Sequence, residues 1–390
     1  MALPRTTSNM LRLAARPTTT PSLLPRTSPS FTTTTRRTLS TAPRLYDDSK
    51  NDPYHKQSTA ATGTSAGPHE GSSSRTDNQI SFEYPDDGNL GVREAQVQGR
   101  GGVHLKRTLA TFSLEGRTAV ITGGARGLGL VMGQALVNSG ADLAIVDMNK
   151  EEAEHQTQAM IEQFKKENPK SEEYDRAKFD LGKKEGVFRI PKITAHYSDV
   201  SDPDSVNSCF QEILSSHGKV DHLVTSAGFT ENFSAETYPY DRIKKLWGVN
   251  VDGTYLFCTA LANHLLSTKR PGSMVMIGSM SGSIVNVPQP QAPYNAAKAA
   301  IRHLAASLAV EWAHAGIRVN CISPGYMLTA LTRKILDENP DLAKKWTSLI
   351  PQGKMGRPED LMGAVTYLLS DASGYVTGAD LRVDGGYTCT

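Results

Sequence analysis

Thr118-Ala119-Val120-Ile121-Thr122-Gly123-Gly124-Ala125-Arg126-Gly127-Leu128-Gly129 is an apolar strand that runs into a glycine-rich turn, and the residues after it open a helix. The order carries the reading. Glycines let the backbone turn sharply and approach a pyrophosphate, while the unpaired amides and positive dipole end of the following helix face the anion. Leu128, Met132, Ala135 and Leu136 recur on one helical face up to Gly140, and Asp142-Leu143-Ala144-Ile145-Val146 forms a second buried strand ending at Asp147. An acid at that point can bind the two ribose hydroxyls of a nucleotide.

Strand and helix keep alternating downstream. A charged helix spans roughly Lys150 to Lys166, and the polar stretch Glu167 to Phe188 reads as a surface insertion. Ile193 to Ser198 is a third strand ending at Asp199, and Asp202-Pro203 caps the next helix. Val220 to Thr225 is a fourth strand, closed by Ser226-Ala227-Gly228, and Ser273 to Gly278 is a fifth. Ile317 to Ile322 is a sixth, closed by Ser323-Pro324-Gly325, and Ala379 to Val383 a short last one. This alternation predicts an α/β fold, a doubly wound parallel sheet of about seven strands with right-handed crossovers and a ligand crevice at the strands' carboxyl ends.

Composition divides the 390 residues unevenly. The first 46 carry seven Arg, no Lys and no acid, and are rich in Ser, Thr and Pro. That suits a mitochondrial-type presequence over residues 1–39, with Arg37-Thr38-Leu39-Ser40 resembling a processing site; a generic basic tail, and hence a cytoplasmic protein, is the alternative. Residues 40–107 are too polar to offset the entropy of ordering and read as a disordered linker or arm. One domain remains, residues 108–390. Without the seven Arg, 35 basic residues face 40 acids, so the rest of the chain is acidic and offers nothing to nucleic acid. The four Cys form no CxxC pair and no His pair has HExxH spacing, which argues against a disulfide scaffold or a metal site. No apolar run reaches membrane-spanning length.

Four Tyr-x-x-x-Lys spacings occur, at Tyr46/Lys50, Tyr174/Lys178, Tyr240/Lys244 and Tyr294/Lys298, so spacing alone selects none. Position along the sheet does. Only Tyr294 follows the fifth strand, at the start of an Ala-rich helix from Asn295 to Ala315, where Lys298 lies on the same face one turn on. A nearby ammonium lowers a phenol's pKa toward the working range of a general base. A serine of the turn Gly278-Ser279-Met280-Ser281-Gly282 can donate to a substrate oxygen, and Asn250, if buried, can link Lys298 to solvent through water. Each also has a plain structural reading: an interfacial Tyr, a turn Ser, a satisfied core amide.

Together these residues resemble the short-chain dehydrogenase/reductase family over residues 108–390. The resemblance implies a single Rossmann-type domain whose cofactor signature is matched by Thr122, Gly123, Gly127 and Gly129, with Arg126 and Leu128 in the same loop. It implies an adenine-side acid at Asp199 beside Val200, a catalytic Tyr294 and Lys298, and an active-site Asn250. It places Pro324 and Gly325 around the nicotinamide and brings Thr329 to the cofactor amide or phosphate. Two departures stand out. The usual Asn-Asn-Ala-Gly is here Thr225-Ser226-Ala227-Gly228, and the catalytic serine is Ser281 by its distance from Tyr294 but Ser279 by its place after the strand; we favour Ser279.

Within the family the chain is most similar to sugar-alcohol dehydrogenases of the D-arabinitol, mannitol and L-xylulose/sorbose types, through residues 226–233, 245–255 and 279–291. Glu231, Asn232, Asn286 and Gln291 suit a polyol better than an acyl thioester. The expected reaction is hydride transfer between NAD and a secondary alcohol, with Tyr294 moving the proton. Asp147 favours NAD over NADP by repelling a 2′-phosphate, while Arg126 pulls the other way. The rival readings are a mitochondrial 3-oxoacyl thioester reductase and an NAD-binding scaffold or sensor. Small residues on the Asn295 to Ala315 helix (Ala299, Ala300, Ala305, Ala306, Ala309) permit close packing, and the resemblance implies a homotetramer or homodimer.

Overall fold

The computed structural model describes residues 108–169, 171 and 189–390. The readings of residues 1–107, and most of the polar insertion, lie outside them. Seven parallel strands form one sheet in the order β3-β2-β1-β4-β5-β6-β7. They are β1 (Thr118–Thr122), β2 (Asp142–Asp147), β3 (Ile193–Tyr197), β4 (His222–Thr225), β5 (Gly272–Ile277), β6 (Ile317–Pro324) and β7 (Asp380–Val383). The order reverses between β1 and β4, which pair from Ala119↔His222 to Thr122↔Thr225, and the crevice of a doubly wound sheet opens at that point.

The strands read as unbroken apolar runs because helices cover both faces. Ala119 and Ile121 pack on one side with Met132, Leu136 and Val365, whereas Val120, between them, packs on the other with Phe210, Phe257 and Leu261. The first layer includes α1 (Gly127–Asn138) and α9 (Met362–Leu369), with Ala153 and Met160 of the Lys150–Glu167 helix in the same cluster; the second includes α3 (Pro203–His217), α5 (Gly253–Thr268) and α6 (Ala292–Trp312). The remaining helices are α2 (Lys150–Glu167), α4 (Tyr240–Trp247), α7 (Ala330–Glu338) and α8 (Pro340–Ser348). Asp202 caps α3 through the Asp204 amide, with Pro203 in the first turn as its sequence implies.

Most strand ends shift by one or two residues from the sequence reading, and three boundaries carry structural meaning. β4 starts at His222, not Val220, because Asp221 serves as a buried clasp at the strand's entry. Its carboxylate accepts from the Thr118 amide at 2.9 Å and Arg270 at 2.6 Å, and pairs with Lys219 at 3.1 Å. Burial raises its pKa, but the Thr118 amide and Lys219 outweigh that and hold it below the usual carboxylate range. The Tyr294 helix begins two residues before Tyr294, the Tyr294 amide donating to Gln291 O at 3.0 Å. It ends at Trp312, where a 3-10 turn takes over to Gly316 in the left-handed region.

Three histidines, His196 in β3, His217 at the end of α3 and His222 in β4, resist protonation in the fold. Burial lowers His217 to about 4, His222 to about 3, and His196 as well. The unfolded chain takes up protons at His217 and His222 near pH 6.5 while the folded chain does so only at about 4 and below, so stability rises with pH across that window. Melting temperature should fall as pH drops from 6.5 toward 4, and less steeply for His222→Leu; a flat profile between those values would contradict this.

Candidate active site

Close approach of bare backbone builds the nucleotide cradle. Gly123 has φ +64°, and a Cβ there would lie 2.8 Å from the Ala227 backbone; a Cβ on Gly129 would lie 2.1 Å from Gly123 O. Thr122 closes the same junction, its hydroxyl accepting from the Ala227 amide at 3.2 Å. Asp147, half-buried at the end of β2, accepts from the Ala125 amide at 3.1 Å through one oxygen and from the Asn149 amide at 3.0 Å through the other. The carboxylate thereby ties the glycine loop to β2, and each oxygen keeps a lone pair for a hydroxyl. Arg126 is exposed just before α1, and Leu128 packs against the core behind the loop.

Asp199 is half-buried after β3 and accepts from the Ser201 amide and hydroxyl. Val200 is buried against Gly253, where a Cβ would meet its side chain at 2.7 Å. Ser226, Ala227 and Gly228 leave β4 at the switch point; a Cβ on Gly228 would strike Asn250 Oδ1 at 2.6 Å and lie 3.6 Å from Lys298 Nζ. That bare position is what lets Asn250 and Lys298 converge. Asn250 lies in a π turn, Gly248–Asp252, between α4 and α5. Its Nδ2 donates to Phe229 O and Leu246 O, both at 3.0 Å, while its buried Oδ1 has no partner among the described residues.

Lys298 is buried and donates to Ile277 O, the last carbonyl of β5, at 2.8 Å. Its ammonium lies 5.6 Å from the Tyr294 ring centre. Burial pushes Lys298 down to about 8, with the Cys321 thiol acting the other way. Burial also pushes Tyr294 above its ordinary value, opposed by a hydrogen bond with the Ser279 side chain. The lowering of the phenol expected from Lys298 does not hold among the protein's own groups: desolvation raises the phenol, and it is the Ser279 hydrogen bond that opposes it.

Ser279 and Ser281 are not equivalent. Ser279 is half-buried at the end of β5 and is the serine that meets Tyr294; Ser281 is buried one turn behind. Gly282 lets the turn sit on α6, since a Cβ there would lie 2.7 Å from the Lys298 backbone. Arg302 clamps this contact from below, donating to Gly282 O at 2.8 Å and to Asp380 at 2.7 Å. Sequence reasoning passed over Arg302, although it follows Lys298 by four residues and shares its helical face.

Pro324 ends β6, and Gly325 rests against Asp384, whose backbone a Cβ would meet at 2.7 Å. Thr329 caps α7 with its hydroxyl on the Thr332 amide. Next to Gly325, Tyr326 stacks on Trp346 of α8 with ring centres 4.3 Å apart. Its hydroxyl meets the Asn286 and Gln289 amides at 3.3 and 3.1 Å. Asn286 and Gln291 are buried and bonded to each other at 2.9 Å. Glu231 is engaged by Arg242 and Tyr238, and Asn232 is exposed.

The described residues hold no cluster of three or more His, Cys, Asp or Glu that could bind a metal ion, and no helix long and apolar enough to cross a membrane. The cradle fits a dinucleotide: its two closest approaches exclude any side chain, and its amides and Asp147 supply the donors and acceptors a pyrophosphate and ribose require.

Two family models match the chain, one described as short chain dehydrogenase over residues 117–192 and one described as enoyl-(acyl carrier protein) reductase over residues 182–388. A D-arabinitol 2-dehydrogenase (ribulose-forming) of Candida tropicalis is 41% identical over 281 residues, 72% of this chain and 95% of that enzyme. An NADH-dependent L-xylulose reductase of Ambrosiozyma monospora is 39% identical, over 72% of this chain and 98% of the relative. A crystal structure of a gluconate 5-dehydrogenase from Burkholderia cenocepacia, in complex with NADP and tartrate, superposes with a TM-score of 0.62 at 29% identity, covering 73% of this chain and all of that one.

Gly129→Ala should abolish dinucleotide binding, because its methyl collides with a carbonyl that cannot move without opening the loop. Gly127→Ala, with φ +60° but nothing within 4 Å of a Cβ, should cost only about 1 kcal/mol of backbone strain. Fluorescence titration with NADH or NADPH separates the two; equal affinities would contradict the cradle.

Proposed function

The chain belongs to the short-chain dehydrogenase/reductase family, and from that premise we propose that it oxidises a sugar alcohol such as D-arabinitol to a ketose with NAD. The observation that carries the reading is the convergence of Ser279, Tyr294, Lys298 and Asn250 at the carboxyl ends of β4 and β5, beside the glycine cradle. The polyol is supported by the polar groups gathered where the segments after β5 and β6 meet, the carboxamides of Asn286 and Gln289 and the Tyr326 phenol, which bond to one another. The named relatives that act on arabinitol and xylulose point the same way.

A bound nicotinamide would supply the hydride acceptor. Tyr294 takes the proton of the reacting hydroxyl, Ser279 donates to that oxygen and fixes its distance from the phenol, and Lys298, anchored on Ile277 O, holds the nicotinamide ribose. The unpartnered Asn250 Oδ1 accepts from the water that carries the proton outward. Thr122, Gly123, Arg126, Gly127, Leu128 and Gly129 cradle the pyrophosphate, Asp147 takes the adenosine ribose, Asp199 and Val200 flank the adenine, Ser226 to Gly228 border the ribose, and Pro324, Gly325 and Thr329 enclose the nicotinamide. NAD is preferred because a 2′-phosphate would meet the Asp147 carboxylate, whereas Arg126 projects into solvent. We further propose that residues 1–39 are a presequence directing the enzyme to the mitochondrial matrix and that the enzyme is a homotetramer or homodimer. The apolar exposure of Val310, at 80%, supports the second, while Ala305 and Ala309 belong to the core. Intact mass of the organelle-purified protein and light scattering check these two points; an unprocessed chain or a monomer would refute them.

NADH formation from D-arabinitol should be rapid, faster with NAD than NADP, and nearly absent in Tyr294→Phe with dinucleotide affinity retained. Asp147→Asn should narrow the cofactor preference. Oxidation needs the deprotonated phenol, whose pKa burial raises, so its rate should climb with pH while ketose reduction declines. Undiminished turnover by Tyr294→Phe would end the proposal.

A further inference from the structure

Behind the serine that faces Tyr294 runs a buried chain of side chains to which the hydride and proton transfers assign no role. Ser279 Oγ donates to Ser281 Oγ at 3.0 Å and accepts from the Ser281 amide at 3.1 Å. Ser281 Oγ in turn accepts from Gln291 Nε2 at 3.3 Å. The same amide nitrogen also reaches Asn286 Oδ1 at 2.9 Å and Asn295 Oδ1 at 2.8 Å, so two hydrogens serve three oxygens. Ser281 and Gln291 are 5% and 6% exposed, so both lie away from bulk solvent.

This arrangement poses a problem for Ser279. To donate to the reacting oxygen it must withdraw its proton from Ser281, and a buried hydroxyl left without that partner would cost about 1–3 kcal/mol. Ser281 can reverse the bond instead. Hydroxyl hydrogens rotate freely, so Ser281 can turn its own proton onto Ser279 Oγ while its lone pair stays filled by Gln291. The Ser281 amide keeps Ser279 Oγ in place in both arrangements. No bond to carbon or nitrogen changes; one hydroxyl hydrogen swings from Ser281 to Ser279 as that of Ser279 swings to the substrate oxygen.

We propose that Gln291 is a positioning residue that acts through Ser281, holding it as the donor that frees the Ser279 proton for the reacting oxygen. The inference rests on Ser279 being the substrate-facing serine. It gives the second serine of the turn a task distinct from the first, and it makes Gln291, ten residues further on, part of the same proton-ordering unit.

The test compares Ser281→Ala, Gln291→Met and Gln291→Glu, alone and combined with Ser279→Ala, on whichever secondary alcohol the enzyme oxidises fastest. Each single change should lower kcat about tenfold, the effect of one ordinary hydrogen bond, with dinucleotide affinity retained. The Ser281→Ala/Gln291→Met pair should cost no more than either alone, and neither should matter further in the Ser279→Ala background. Gln291→Glu keeps the shape but offers only acceptors, so it should fail like Gln291→Met. Full effects of Gln291→Met in the Ser279→Ala background, or additivity with Ser281→Ala, would overturn the inference. Full turnover by Ser279→Ala would instead overturn the serine assignment beneath it, and because the series does not depend on a polyol, an error about substrate leaves it readable.

Discussion

Everything at the site hangs on the contact between the exits of β1 and β4. These strands are neighbours only because the sheet reverses its order there, and past their last pair, Thr122↔Thr225, the two chains must diverge while still touching. Gly123 lies against the Ala227 backbone with no room for a side chain, and the Thr122 hydroxyl holds the Ala227 amide. The divergence makes the crevice, and the contact fixes its width. From it the chain reaches the glycine loop on one side and, through Gly228, the buried amide of Asn250 and ammonium of Lys298 on the other.

Electrostatics at the site derive from this packing. A lysine under a sheet, bonded to one carbonyl, retains its proton weakly, and a phenol packed beside it releases one weakly. Both are held away from their solvent behaviour by the same desolvation, which penalises the charged form of each. The Asn250 oxygen, in a widened helical turn, is a third such group, a buried acceptor with no donor among the described residues.

Legibility in the sequence tracked the range of the interactions. All seven strands could be read because burial on both faces leaves apolar runs, and Tyr294 with Lys298 could be chosen among four equal spacings because strand order fixes which loop faces the crevice. The Asp202-Pro203 cap is equally local. Spacing could not reveal the interactions that lie across the chain. Asp221 clasps Arg270 over 49 residues, Arg302 reaches Asp380 over 78, and Ser281 is occupied by Gln291 across a loop whose path no pattern announces. Glu231, chosen for its polarity as a polyol contact, is engaged by Arg242, a partner that polarity alone does not name.

The π turn at Gly248–Asp252 has a consequence for how this chain can vary. One extra residue in a helical turn rotates the downstream helix by about 100° relative to the upstream one. Here that offset lets α4 present its charged side outward while α5, continuous with it, drives Phe257, Leu261 and Leu265 under the sheet. It also frees the Leu246 carbonyl that Asn250 occupies. The stretch is therefore a phase shifter between two helices. Length changes in the loop before α4 leave that phase intact, but a single residue gained or lost within these five would turn Asn250 away from Gly228 and roll the apolar stripe of α5 off the core, coupling the site and the fold through one count of residues.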